Sequence, residues 1–195
     1  MIMSSKMIAT GLGSVVVTAL CPIVSSGEVR DLAFQYVDAD IAPLENTNPF
    51  APFIGTWTLQ DDQFQQVWDG VTVETLTIPN HITRCEELNT DQSVLCVVDA
   101  GGLKGQIYWT QPAGRMAVSH LSQFGDARIG TGSGMMDEAD GLTLKIMFSD
   151  EPEGTYRIYE YRWQSEDSYT LMSRQYAADG NATGNWYGGT FVRVD

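Results

Sequence analysis

Leu142-Thr143-Leu144-Lys145-Ile146-Met147-Phe148 puts Leu142, Leu144, Ile146 and Phe148 on one side of an extended chain and Thr143, Lys145 and Met147 on the other. A period of two with one apolar side is a strand that covers a core. The next run, Thr155-Tyr156-Arg157-Ile158-Tyr159-Glu160-Tyr161-Arg162-Trp163, is also strand-like but carries rings on both sides. Arg157, Tyr159, Tyr161 and Trp163 share one face; Tyr156, Ile158, Glu160 and Arg162 share the other. Such a strand fits the wall of a barrel with an amphipathic interior better than the dry core of a sandwich.

Similar runs extend in both directions, over 53–60, 63–69, 71–78, 81–87, 93–99, 104–110, 115–122, 127–135, 169–176 and 186–194. Turn residues separate them, among them Asp69-Gly70, Asp140-Gly141, Glu153-Gly154 and Asp179-Gly180. Some neighbouring runs read as one bent strand. The predicted fold is all-β, an antiparallel up-and-down β-barrel of eight to ten strands over residues 50–195. Closure removes the exposed edges that so many hairpins would otherwise present.

Residues 1–26 read differently. Lys6, an apolar run from Met7 to Leu20 and small residues through Ser26 form a secretory signal peptide, with the expected cut after Ser26. Gly11, Gly13 and Pro22 disfavour a retained membrane anchor, and Leu20 before Cys21 disfavours lipid attachment. No integral membrane domain is expected after cleavage, and the expected location is secreted or periplasmic. Residues 27–49 supply a short amphipathic helix, with Val29, Leu32, Ala33, Tyr36 and Val37 at helical spacing, and a linker.

In an oxidising compartment the remaining cysteines, Cys85 and Cys96, become informative. Pairing Leu88 with Ser93 across a four-residue loop sets the two cysteines opposite each other, which predicts a disulfide; the alternative is two buried thiols. The chain of 195 residues carries 25 acidic and 11 basic side chains, a net charge of −14. Bulk charge of that sign excludes electrostatic binding to nucleic acid or an anionic membrane.

The segment Phe50-Ala51-Pro52-Phe53-Ile54-Gly55-Thr56-Trp57 contains Gly-x-Trp at the start of the first strand, and Arg193 lies near the end of the last. In these features residues 50–195 resemble the lipocalin and fatty-acid-binding (calycin) superfamily. The stretch from Gly154 to Trp163 and that from Tyr187 to Arg193 are also similar to uncharacterised bacterial lipocalin-like proteins. The resemblance implies that Arg193 packs across Trp57 and closes the base of the barrel, with structural roles for Gly55, Trp57 and Arg193. Neither the helical lid of fatty-acid-binding proteins nor the lipocalin helix before the last strand is found.

Chemical candidates are few. His81 follows Pro79-Asn80 and reads as a solvated or capping residue. His120 shares a strand face with Met116 and Val118 and is a candidate general base, haem ligand or hydrogen-bond anchor, although a histidine so placed is more often satisfied within a core. Metal-ligand spacing and a nucleophile elbow are both missing, so no metal and no cofactor is expected. Gly130-Thr131-Gly132-Ser133-Gly134 reads as a close-packed strand or bulge. What remains is a set of polar groups among rings: Trp109, His120, Arg157, Tyr159, Tyr161, Trp163 and Arg174. On a barrel wall these would bind a small hydrophobic or amphipathic ligand, arginine meeting a polar end. The predicted function is a non-catalytic lipocalin-like binding protein; the alternative is a barrel isomerase, cyclase or hydratase that moves a proton with His120.

Overall fold

The computed structural model describes residues 48–89, 92–112, 115–137 and 141–194. The signal segment and the helix expected near Glu28 lie outside them. Twelve strands follow one another: β1 (Gly55–Leu59), β2 (Gln63–Val67), β3 (Glu74–Thr77), β4 (Ile82–Asn89), β5 (Ser93–Ala100), β6 (Leu103–Thr110), β7 (Ala117–Phe124), β8 (Arg128–Asp137), β9 (Gly141–Phe148), β10 (Tyr156–Ser165), β11 (Ser168–Tyr176) and β12 (Ala182–Arg193). Each hairpin neighbour from β4 to β12 is antiparallel, and β12 returns to pair with β1, closing the sheet.

The twelve segments are ten long strands, of which two are bent. Gly55 pairs with Cys85 and Gln63 with Thr77, so β1–β2 and β3–β4 form a single hairpin in constant register. Against β12 the first strand gains three residues between Trp57 opposite Arg193 and Val67 opposite Trp186, and these are the 3-10 turn Gln60–Asp62. Asp61 and Asp62 adopt positive φ there, as does Asn80 at the bend before β4. Carboxylate and amide side chains tolerate that region best among residues with a Cβ.

Parity assigns the faces. On β9 Leu142, Leu144, Ile146 and Phe148 are buried while Lys145 and Met147 are exposed; on β10 Arg157, Tyr159 and Tyr161 are buried. Charged residues such as Arg84, Glu86 and Lys145 face outward. On β8 the inward positions are Gly130, Gly132 and Gly134. A Cβ on Gly132 would stand 2.0 Å from the Lys145 carbonyl oxygen, and one on Gly134 would stand 1.8 Å from that of Thr143. β8 thus curls so tightly against β9 that no side chain fits between them. Cys85 and Cys96 are opposite each other and disulfide-bonded. The register expected around them holds through Glu87, after which a bulge pairs Asn89, not Leu88, with Ser93.

One end of the barrel is shut by the chain that enters it. Phe53, expected to begin the first strand, instead ends the 3-10 turn Ala51–Phe53, because Pro52 near its start suits a tight turn better than a ladder. Phe50 and Phe53 insert into the interior, and the Trp57 indole donates to the Phe53 carbonyl at 2.9 Å. The Arg193 guanidinium lies 4.3 Å over the Trp57 ring and donates to the carbonyls of Ile54 (2.7 Å) and Pro52 (3.1 Å), and to Asp167 Oδ1 (3.1 Å). Gly55 makes room for it: at φ 129 its missing Cβ would stand 2.4 Å from Arg193 Nη1. The close approach at Gly55 is thus by a guanidinium. Arg193→Ala, which strands these carbonyls and uncovers Trp57, is expected to lower the unfolding free energy in urea by about 2–3 kcal/mol. Arg193→Lys should recover less than half of that, since an ammonium cannot span the same acceptors; full recovery by lysine would refute the fork geometry.

Candidate functional site

Six of the seven side chains expected to meet a ligand face the interior: Trp109, His120, Arg157, Tyr159, Tyr161 and Trp163. Arg174 does not. The antiparallel register sets Arg157 opposite Gln175 and Ile158 opposite Arg174, so Arg174 takes the outward parity and pairs there with Glu160. Reading it with Arg157 overlooked this alternation.

The six inward residues divide between the two ends. Near the closed end the Phe53 ring lies 5.0 Å from Trp109, 5.7 Å from Tyr161 and 4.6 Å from Trp163, a dry aromatic cluster. His120 belongs to its margin. β6 and β7 pair Trp109 with His120, and the indole N–H donates to Nδ1 at 2.8 Å. An indole has no acceptor, so the neutral ring carries its proton on Nε2 and donates to Ser122 Oγ, 3.0 Å away. Burial lowers the pKa of His120 to about 4. With both nitrogens engaged the ring offers no free lone pair to a proton or an iron.

His81, expected in solvent, is buried. After Asn80 turns the chain, His81 falls on the inward parity of Thr83 and Cys85, with its ring 5.3 Å from that of Phe191 and Nε2 3.4 Å from Thr83 Oγ1. Desolvation lowers its pKa. Among the described residues no group of three or more His, Cys, Asp or Glu could hold a metal.

The opposite end is polar. Arg157, at the start of β10, is fully buried (0% exposed), with its guanidinium 4.9 Å from the Trp68 ring and 4.7 Å from the Tyr187 ring. Its Nε donates to Glu151 Oε1 at 2.5 Å and its Nη1 to Ser173 Oγ at 3.4 Å; its Nη2 has no partner. Glu151, in the loop between β9 and β10, also accepts from Arg128 Nη2 at 3.1 Å on the same oxygen, and its Oε2 is buried without a hydrogen bond. Burial raises the Glu151 carboxyl, but side-chain hydrogen bonds from Arg157, Gln175 and Arg128, with the Arg157 charge, more than reverse this and hold it below the ordinary carboxylate range. Arg128 lies 3.8 Å over Phe148 and engages both oxygens of Asp150 at 2.6 Å. The phenols of Tyr159 and Tyr187 touch each other beneath this group, and burial pushes the Tyr159 pKa upward, so that phenol is neutral. Trp68, at the end of β2 and 49% exposed, covers Arg157 from the solvent side.

Trp68, Glu151, Arg128 and Tyr187 were not singled out from the sequence. Glu151 lies in Asp150-Glu151-Pro152-Glu153, which reads as turn chemistry, and Trp68 lies before Asp69-Gly70, which reads as the end of a strand. The β8–β9 and β9–β10 hairpins bring Arg128 and Glu151 to Arg157, while Trp68 and Tyr187 reach it from β2 and β12.

No protein-family model matches the chain, and no curated protein does. Among solved structures it is similar, at 11% identity and a TM-score of 0.21, to a protein of unknown function from the DUF3598 family of Nostoc punctiforme, covering 75% of this chain and 98% of that one. The fold stands on the strand pairing itself. A closed, ten-strand antiparallel barrel is compatible with a calycin-like architecture.

The buried imidazole carries a pH signature. His120 titrates near 6.5 when unfolded and at about 4 when folded. Between these values only the unfolded chain takes up the proton, so stability falls as the pH is lowered from 6.5 towards 4, by about 3 kcal/mol from this residue. His81 acts with the same sign. His120→Gln keeps an acceptor for Trp109, and urea unfolding at pH 7 and pH 4 should show a stability loss smaller by about that amount; an unchanged loss would mean that His120 is not desolvated as described.

Proposed function

We propose that the protein is a secreted or periplasmic, non-catalytic lipocalin-like carrier that takes up a small hydrophobic or amphipathic molecule at the polar end of its barrel. The observation that carries this is Arg157, fully buried, bracketed by Trp68 and Tyr187, and left with one N–H group unmet. A buried donor group left unmet, even on an ion-paired guanidinium, costs about 1–3 kcal/mol unless something arrives to satisfy it. Rings on both sides suit a guest with an apolar or planar body and one polar group.

The division of the interior supports the same reading. The Phe53 end is packed with the protein's own rings and leaves the work of recognition to the other end. Trp68 would act as the movable cover, since it stands between Arg157 and solvent on the outermost turn of the β2–β3 hairpin. The disulfide between Cys85 and Cys96 supports an oxidising compartment, and the net charge of −14 makes nucleic acid an unsuitable partner. His120 is held as a structural hydrogen-bond relay, which speaks against proton transfer by that residue.

Titration with the neutral apolar dye N-phenyl-1-naphthylamine tests the reading. Saturable binding of one dye per chain is expected, weakened about tenfold by Trp68→Ala and unaffected by His120→Gln. Absence of saturable binding, or binding that Trp68→Ala leaves alone, would overturn it.

A further inference from the structure

We infer that the polar end of the guest is electrically neutral and bears both a hydrogen-bond donor and an acceptor, as a carboxamide or a hydroxyl does; the inference rests on the carrier reading above. Charge decides the first half. Arg128 and Arg157 face Asp150 and Glu151, two cations against two anions, all joined by ion pairs. Glu151 is 7% exposed and Arg157 not at all, so their pair is shielded from water. A carboxylate entering here would add an uncompensated negative charge beside Glu151. Placing like charges together in a site shielded from water is strongly unfavourable.

The unmet atoms decide the second half. Glu151 Oε1 takes both arginine bonds, while its Oε2 is a buried acceptor and Arg157 Nη2 a buried donor, each without a hydrogen bond. Asn185, whose Nδ2 donates to Gln175 Oε1 at 2.9 Å, leaves its buried Oδ1 free as a further acceptor. Gln175 is the residue opposite Arg157, so these groups share one end of the barrel. A carboxylate could satisfy the donor but neither acceptor. A carbonyl oxygen set on Nη2 with an N–H or O–H turned to Glu151 would satisfy both kinds.

The test compares three probes with one chain length, decanamide, 1-decanol and decanoate, each displacing N-phenyl-1-naphthylamine from the full chain at pH 7.5. The amide and the alcohol are expected to bind about tenfold more tightly than decanoate. Glu151→Gln removes one anion while keeping the side chain's shape, and should shift the preference towards decanoate by at least about tenfold. Tighter binding of decanoate to the unaltered protein, or a preference that Glu151→Gln does not move, would overturn the inference while leaving the carrier reading intact. Displacement by none of the three, with the dye bound, would overturn it too. If the dye itself does not bind, the carrier reading fails first, and the two failures are thereby told apart. Should Glu151→Gln not fold, the ranking of the three probes on the unaltered protein still decides.

Discussion

Everything in this molecule depends on β12 having two partners on one edge. Its last residues pair with β1 and its earlier ones with β2, while β11 occupies the other edge along nearly its whole length. The three-residue turn at Gln60–Asp62 lets one bent strand pair with β12 on both sides of the bend. Without that offset the seam would open along one half, and the interior would be a trough. Arg193 completes the seam by tying the carbonyls of the entering segment to the final strand.

Closure then sorts the interior into two chemistries. Towards Phe53 rings meet rings, and His120 at the margin is satisfied by Trp109 and Ser122, neighbours that strand register supplies. Towards Arg157 the inward side chains are charged or hydroxylated, and their bonds are almost complete but not entirely so. The packed ring cluster gives the wall its support, and the charged cluster, with a donor and acceptors to spare, is where the proposed guest would bind. The two lie on the same strand, since Arg157, Tyr159, Tyr161 and Trp163 run from one chemistry into the other.

Much of the wall was legible because a barrel strand has a period of two, and Leu142 to Phe148 displays it openly. The opposition of Cys85 and Cys96 could be read from a short loop, although the bulge near Leu88 could not, since a bulge is one residue's departure from the pattern used to detect it. Ala182 to Asn185 look like a loop, yet they extend β12, because their backbone finds β11 whatever their side chains prefer. The interior site was half legible. Arg157 and Tyr159 could be seen on one face of one strand, whereas Trp68 reaches them only through a contact between elements distant in sequence, and Glu151, six residues before Arg157, was hidden in a run that reads as a turn. His81 misled for the opposite reason: Pro79-Asn80 marks a turn correctly, but the turn ends one residue before the wall resumes.

The seam also dictates when the molecule can become itself. Arg193 and Ile54, which meet across it, are 139 residues apart. Hairpins from β4 onward can zip locally as each emerges, but the first strand has to wait, edge unpaired, until the last has been delivered. Contacts of such separation form late and slowly, and an edge left waiting is an invitation to other chains. Biogenesis of this barrel is therefore a race between delivery of the final strand and capture of the first one by a stranger, and a chaperone that shields the Gly55 to Val67 stretch would be the helper it most needs.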